Sequence, residues 1–556
     1  MKTERLKRIE KICIIIIACL VIVVIACIFI MISKGDPPKD LNNSDKLPIH
    51  EEIENTQKEN EQTVPKLTQK LDLMPSKCNL YNKMPEISFI TENNEELKLS
   101  DLKGKVVVIT FWASWCKHCQ AELAHSKEFY DMLNKYKDVE FLLVDKLDES
   151  KETKEQALAY LKENNIPFKT VFDENLLAYK TLGIKAVPTT LIIDKNGILT
   201  NWHVPEIEDS GKLEALIKND LEGNSYATEK FIKDKLTNSE GGIMTSLIDE
   251  GSKPTGRDVL SESQGIMLQY AALKNNKDLF NNTLDYVNKY MKSDNLTSWV
   301  VEDGTENRVN SVLDDLRIYG ALNEGSQKFG EYDKELIKYR NYIYKYNVNR
   351  NNLVDSYDFK YKEKSNRLSL CYADFRTLKD MSNNDSRFKK IYSNSLETIK
   401  GGYINDKFPF YYNYYDYKNK VYDHNSINST EGMMTLWHLA EIGELPDTTV
   451  TWIKDTIKNT GILGRYNVDG SVVKGYEYES TAVYAIAVLI SNEVGDDELT
   501  NLALGKMTEM RINNTKSELN GAFGNEDGTG IYSFNQCMAL IAYGKLEEKE
   551  ALNNHE

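Results

Sequence analysis

Six times between Ser261 and Leu540 the sequence repeats one event, in which a small polar residue opens a helix that continues with small and apolar side chains. The openings are Ser261-Glu-Ser-Gln-Gly-Ile-Met-Leu, Ser311-Val-Leu-Asp-Asp-Leu-Arg-Ile, Leu370-Cys-Tyr-Ala-Asp-Phe-Arg, Ser429-Thr-Glu-Gly-Met-Met-Thr-Leu, Glu479-Ser-Thr-Ala-Val-Tyr-Ala-Ile and Ser533-Phe-Asn-Gln-Cys-Met-Ala-Leu, about 50 to 60 residues apart. More charged amphipathic segments, such as residues 277–291, 331–344 and 497–510, lie between them. A helix apolar on every side has to be buried, and one with a single apolar stripe can cover it. Six of each in alternation predict a closed all-α toroid of helical hairpins, an (α/α)6 ring over residues 224–556.

With the six inner helices parallel, their first turns meet at one mouth. Acidic residues stand at several of these turns: Glu262, Asp314 and Asp315, Asp374, Glu431, Glu477 and Glu479. Any first helical turn favours Asp and Glu through capping and the helix dipole, and Ser261-x-x-Gln264 reads as a capping box. One such residue alone therefore carries little. Carboxylates facing each other across a cleft are another matter, because inverting glycoside hydrolysis needs a pair at roughly 6.5–9.5 Å. Just before Glu431 runs a Tyr-rich stretch that includes Tyr403 and Tyr415. These rings, with Trp299, are the candidates for stacking on sugar, packing being the alternative for each.

On these residues the second half of the chain resembles glycoside hydrolase family 8. Val259-Leu-Ser-Glu262-Ser-Gln-Gly-Ile-Met is similar to that family's acid-bearing helix start, and Trp299-Val-Val-Glu-Asp-Gly followed by Asp315-Leu-Arg-Ile-Tyr-Gly-Ala-Leu to its second signature. Gly401-Gly-Tyr-Ile-Asn-Asp406, then Ser429-Thr-Glu431-Gly-Met-Met-Thr-Leu-Trp-His-Leu-Ala440, falls where the family carries its base. The resemblance implies an inverting endo-hydrolase of β-linked polysaccharide such as cellulose, xylan or chitosan, with Glu262 as general acid. The chain departs from the family in two places. Leu313 aligns with the family's aspartate, leaving Asp314 one residue away and Asp315 as the next acidic match. Glu431 and then Met434 stand where a base aspartate followed by arginine is common. A toroid that holds glycan without cutting it is the alternative expectation.

Upstream, between Met84 and about Gly223, short β-branched runs alternate with amphipathic segments. Residues 106–111, 139–144, 189–193 and 198–203 read as strands, and residues 120–136, 154–164 and 211–221 as helices, a mixed α/β sheet over residues 82–223. The first strand runs into Trp112-Ala-Ser-Trp115-Cys116-Lys-His-Cys119-Gln-Ala-Glu122. Two cysteines at i and i+3 on a helix start can form a disulfide with each other, and the helix N-terminus stabilises the first thiolate. Cys116 is the expected attacking thiol and Cys119 the resolving one. A zinc half-site would need two further ligands, and none is spaced for it. No metal or cofactor is indicated anywhere in the chain.

This motif, the preceding Leu99-Ser-Asp-Leu-Lys-Gly-Lys105 and the later Val187-Pro188-Thr189 resemble the thioredoxin superfamily, most closely the membrane-anchored TlpA-like thiol-disulfide reductases. The resemblance implies a cis Pro188 facing the cysteine pair, a glutamate at Glu122 that tunes the thiols, Trp115 beside them, and a protein thiol or disulfide as partner. Lys117-His118 places cationic side chains between the cysteines, which favours the thiolate and the reduced form and makes a better oxidant, whereas a buried, ionised Glu122 pushes the other way, so both directions of electron flow stay open.

Residues 12–32 carry no charge, and about 20 apolar residues cross a bilayer as a helix. Lys2, Arg5, Lys7, Arg8 and Lys11 precede the run, so its N-terminus is expected in the cytoplasm and the remaining chain outside. Residues 1–33 are thus the expected anchor, and residues 34–81, rich in Asn, Glu, Lys and Pro, a flexible tether. At 556 residues the chain exceeds one core, and a net charge of −16 argues against nucleic acid as a partner. Of eight cysteines, three fall in the apolar run, two form the pair, and Cys78, Cys371 and Cys537 stand alone. These three are expected as small buried hydrophobes or idle thiols, with a disulfide between Cys371 and Cys537, served by the pair, as the alternative.

Overall fold

The computed structural model describes residues 73–148, 150–251, 254–293 and 296–553. The charge-free run expected to cross a membrane lies outside the described residues, as does most of the expected tether. Among the described residues no helix is long and apolar enough to cross a membrane.

Seven strands form the first sheet: β1 (Ser88–Thr91), β2 (Glu96–Lys98), β3 (Val106–Trp112), β4 (Val139–Asp145), β5 (Thr170–Phe172), β6 (Thr189–Ile193) and β7 (Leu199–His203). Their order is β2-β1-β5-β4-β3-β6-β7. β3 pairs parallel with β4 and antiparallel with β6. All seven of its residues are buried, as expected of an uninterrupted apolar strand covered on both faces.

Residues 120–136, expected as one helix, form two, α1 (Lys117–Leu123) and α2 (Ser126–Leu133). The break has a packing reason. Cys119 and Leu123 of α1 join one apolar cluster with Trp112 and Leu143, whereas Phe129 and Met132 of α2 join another with Val108 and Ile192. A single straight helix could not present both sets. α3 (Lys154–Glu163), α4 (Leu177–Leu182) and α5 (Ser210–Glu222) complete this part.

Twelve helices follow as six outer and inner pairs: α6 (Tyr226–Phe231) and α7 (Ser261–Leu273), α8 (Lys277–Tyr290) and α9 (Val312–Phe329), α10 (Asp333–Tyr346) and α11 (Phe375–Asn384), α12 (Arg387–Gly401) and α13 (Ser429–Ala440), α14 (Asp447–Asn459) and α15 (Thr481–Val494), α16 (Asp497–Glu509) and α17 (Ser533–Asn553). Each inner helix packs on the next, and α17 returns to α7, which closes the ring. The first turns of α7, α9, α15 and α17 meet. Ser261 Oγ donates to Asp314 at 2.6 Å, Ser263 and Ser533 hydroxyls lie 2.7 Å apart, and Ser480 Oγ donates to Asn535 at 3.3 Å.

Two local expectations change. The capping box at Ser261 does not form: the Ser261 hydroxyl turns to Asp314 and to the Trp299 carbonyl, and Gln264 donates to the Ile243 carbonyl. The third inner helix starts late, because Leu370–Tyr372 is a single 3₁₀ turn and the α-helix begins at Phe375, capped by Asp374. Strand signals also persist as short antiparallel pairs in the connections, such as Val259–Leu260 with Val300–Glu302 and Arg367–Ser369 with Tyr414–Asp416.

The last residues of the expected tether are packed. Cys78 and Leu80 are buried, and the Leu80 N–H donates to Asn501 Oδ1 at 2.6 Å. Across the same junction Thr515 Oγ1 donates to Glu214 at 2.6 Å, and where the chain enters the ring Arg511 Nη1 donates to the Asn224 carbonyl at 2.8 Å and Glu547 accepts from the Ser225 N–H and hydroxyl at 2.8 Å each.

Candidate functional sites

The cysteine pair sits where β3 hands over to α1. Cys116 is the N-cap residue of α1, and its sulfur accepts from the Cys119 N–H at 3.3 Å. Both cysteines are free thiols, Cys116 at 6% exposure and Cys119 at 1%. The Val187–Pro188 bond is cis, and Cys116 Sγ donates to the Val187 carbonyl at 3.3 Å. Trp115, 42% exposed, lies under the ammonium groups of Lys146 and Lys151.

Burial pushes the Cys119 thiol far up, with the Cys116 sulfur and the Glu122 charge adding to it. The carboxyl of Glu122 is pushed up to about 8 by burial, against the Ile207 N–H that donates to it at 2.9 Å. His118 Nδ1 pairs with Glu206 at 2.9 Å in the open.

At the mouth of the ring the structure brings Glu262 and Asp314 together through a residue that sequence reasoning passed over, Arg317. Its Nη1 lies 3.3 Å from Asp314 and 3.7 Å from Glu262, and its Nη2 donates to the Met434 sulfur at 3.7 Å. All three charged side chains are buried. Burial pushes the Asp314 carboxyl up, opposed by Arg317 and by the Ser261 hydroxyl. The i, i+3 spacing of Asp314 and Arg317, which puts both on one helix face, is the signal that could have found this arginine.

Met434 lies one turn after Glu431 on α13, so Arg317 bridges from α9 toward the helix that carries the half-buried Glu431. Cys371 is buried among the same charges, those of Glu431, Asp355 and Arg317, and Cys537 is buried near Glu262. Both are free thiols, and burial raises them, which keeps them protonated.

The remaining acids are dispersed. Asp315 points into the wall, where it accepts from Asn310 Nδ2 at 2.7 Å and the Thr297 N–H at 3.4 Å. Burial pushes its carboxyl up to about 7 and the neighbouring Lys292 ammonium down to about 8. Glu479 is tied to Lys506 at 3.0 Å and to the Tyr484 hydroxyl, and the exposed Glu477 accepts from the Gly475 N–H. Asp374 lies by the last turn of α13 instead of its first. Trp299 is buried and holds the start of α7 through its carbonyl. Tyr403 donates to Asp406 at 3.0 Å, and Tyr415 packs against Tyr417 and Tyr422; both are half-buried.

Comparison with known proteins meets this geometry in two places. Residues 80–201 match the AhpC/TSA family. The thiol-disulfide oxidoreductase ResA of Bacillus thuringiensis is 30% identical over 121 residues, 22% of this chain and 67% of that protein. YdaJ of Bacillus subtilis is 27% identical over 327 residues, 57% of this chain and 86% of that protein. A solved structure described as an alpha-amylase from Clostridium perfringens is 31% identical, with a TM-score of 0.54, covering 58% of this chain and 96% of that one.

Fold and sites together define a two-part chain, a thioredoxin-like thiol-disulfide oxidoreductase domain joined to an (α/α)6 toroid of the glycoside hydrolase type. In its first part the chain belongs to the ResA-like thiol-disulfide oxidoreductases, and in its second it shares the fold of the Clostridium perfringens structure.

Proposed function

We propose that the chain is a membrane-anchored, extracytoplasmic protein of two activities, exchanging thiols and disulfides with partner proteins and hydrolysing a polysaccharide by inversion. The observation that carries the hydrolase reading is the buried Glu262–Arg317–Asp314 cluster at the joined first turns of the inner helices, with half-buried Glu431 on a helix that the same arginine contacts. Glu262 is the general acid and gives its proton to the departing glycosidic oxygen. It must hold that proton beside Arg317, so the cation is better spent on Asp314. Glu431 is the base that takes a proton from water attacking the opposite face of the sugar. Tyr403 and Tyr415 are the half-buried rings left to stack on sugar.

In the thiol domain the Cys116 thiolate attacks a partner's disulfide and releases one partner thiolate. Cys119, once deprotonated, attacks Cys116 sulfur, releases the second partner thiol, and leaves the Cys116–Cys119 disulfide: two electrons pass to the partner. The Cys119 N–H that donates to the Cys116 sulfur at the start of α1 favours the Cys116 thiolate and supports this order of attack.

Family resemblance points to a β-linked glycan, while the relative described as an amylase brings α-linked glucan into the test. Soluble β-glucan, xylan, chitosan and starch, each incubated with the protein and with Glu262→Gln, separate the readings. Release of reducing ends that the variant loses supports hydrolysis. Retained glycan binding with no release by either form would leave a glycan-holding toroid. A Cys119→Ser variant that accumulates a mixed disulfide on Cys116 tests the thiol half.

A further inference from the structure

Among the described residues, one group of His, Cys, Asp and Glu side chains brings three ligand atoms within 4.8 Å of one another: Asp374, His438 and Glu441. The group lines a cavity of ≈ 140 Å³ inside the ring. Arg317 forms part of this cavity's wall, so the space lies beyond the acid cluster, toward the later turns of α7, α9 and α17, where Gln269, Gln327 and Lys545 line it.

Each element supplies its ligand for a visible reason. Asp374 is held by its own cap, Oδ1 accepting from the Thr377 N–H at 2.9 Å and Oδ2 from the Thr377 hydroxyl at 2.7 Å. A carboxylate oxygen with one hydrogen bond keeps a second lone pair. His438 and Glu441, three apart at the end of α13, lie on one face, with His438 Nδ1 3.1 Å from Glu441 Oε2. His438 is 3% exposed, and its Nε2 has no hydrogen-bond partner; neither has the Nε1 of Trp437, whose ring stacks on the imidazole. Glu441 Oε1 has a distant cation, Arg376, at 3.9 Å.

We infer that Asp374, His438 and Glu441 bind a divalent transition cation, Zn²⁺ or Mn²⁺, which pins the third inner helix to the fourth. One imidazole and two carboxylates are a donor set both ions accept, with the cavity supplying room for water at the open positions. Two ligands on one such ion stand about 3.4 Å apart, so small side-chain rotations close the set. The ion has structural work to do here. At ten residues, α11 is the shortest of the six inner helices and starts late, so the ring at this point has least packing of its own.

The test uses the full chain with Cys116→Ser and Cys119→Ser, which removes the thiol pair as a rival chelator, after treatment with EDTA. Dialysis against Zn²⁺, and against Co²⁺ as a spectroscopic probe, is followed by metal analysis. One equivalent per chain is expected, with a Co²⁺ spectrum lacking thiolate charge transfer and a melting temperature raised by several degrees. His438→Gln and, separately, Asp374→Asn, which keeps the helix cap, each lower the affinity at least tenfold while the EDTA-treated melting temperature stays within a few degrees of the parent. No bound ion above background, or equal uptake by parent and both variants, overturns the site and leaves Arg376 as the counter-cation of Glu441.

Discussion

The Arg317 guanidinium lies 3.3 Å from the Asp314 carboxylate one turn earlier in the same helix, both groups out of contact with solvent. Removing one partner of such a pair leaves the other charge buried alone, at a cost of about 3–5 kcal/mol. Arg317→Met is therefore expected to lower the stability of the ring strongly, whereas Arg317→Met with Asp314→Asn recovers most of the loss. Urea denaturation of the two variants and the parent checks this. Equal midpoints for the single and double variants would mean that Arg317 serves packing and not charge.

The two acids that could accept a proton from water differ in exposure to solvent. Asp314 already accepts from the Ser261 hydroxyl and Arg317, while Glu431 is half-buried. With Glu431 as base, Glu431→Gln lowers kcat on a polysaccharide by a factor of about 10²–10⁴ with KM little changed, and added azide restores rate by acting as the nucleophile on the sugar. Azide rescue in Asp314→Asn in place of Glu431→Gln would hand the role to Asp314.

Much of the thiol site was legible because it is local. Strand, Cys-x-x-Cys and helix start are contiguous, while the approaches of Val187, Glu206 and Ile207 come from distant segments. The ring was legible in its period but not in its phase. Nothing in the run from Leu370 to Arg376 tells that the first turn is 3₁₀ and that Asp374 caps a helix beginning opposite the end of α13. Adjacent helical residues point about 100° apart, so of Asp314 and Asp315 only one could face the mouth. Choosing between them required knowing that Asn310 and Thr297 stand behind α9 to take the second. Trp299 shows the same limit, since a ring that would serve a sugar and one that packs have identical sequence.

Glu122 predicts a pH dependence with a definite sign. Its folded-state pKa of about 8 lies above the ordinary 4.5, so the folded protein holds a proton there that the unfolded chain has lost. Stability therefore falls as pH rises from about 4.5 to about 8 and is flat in this contribution outside that window. Glu122→Gln is expected to be the more stable form above pH 8 and to lose the slope, as read from urea midpoints across the range. The variant also removes the nearby charge that opposes ionisation of Cys119, so its mixed disulfide resolves with a pH dependence shifted to lower pH. An unchanged slope would show that Glu122 is ionised throughout.

The segment that joins the two parts, between α5 and α6, is held to the ring by buried contacts. Arg511, 5% exposed, gives the Asn224 carbonyl its Nη1 hydrogen bond just after α5 ends, and the next residue, Ser225, is held twice by Glu547 of α17. Leaving a buried carbonyl without its donor costs about 1–3 kcal/mol. Arg511→Met is expected to loosen this segment alone. Amide exchange at Ser225 should rise at least tenfold, because ~1.4 kcal/mol corresponds to that factor, while exchange in β3 stays as in the parent. Such a result would mean the thiol domain is docked on the ring through a local latch. Faster exchange in β3 as well would mean that the two parts fold as one unit and that Arg511 contributes to the stability of both.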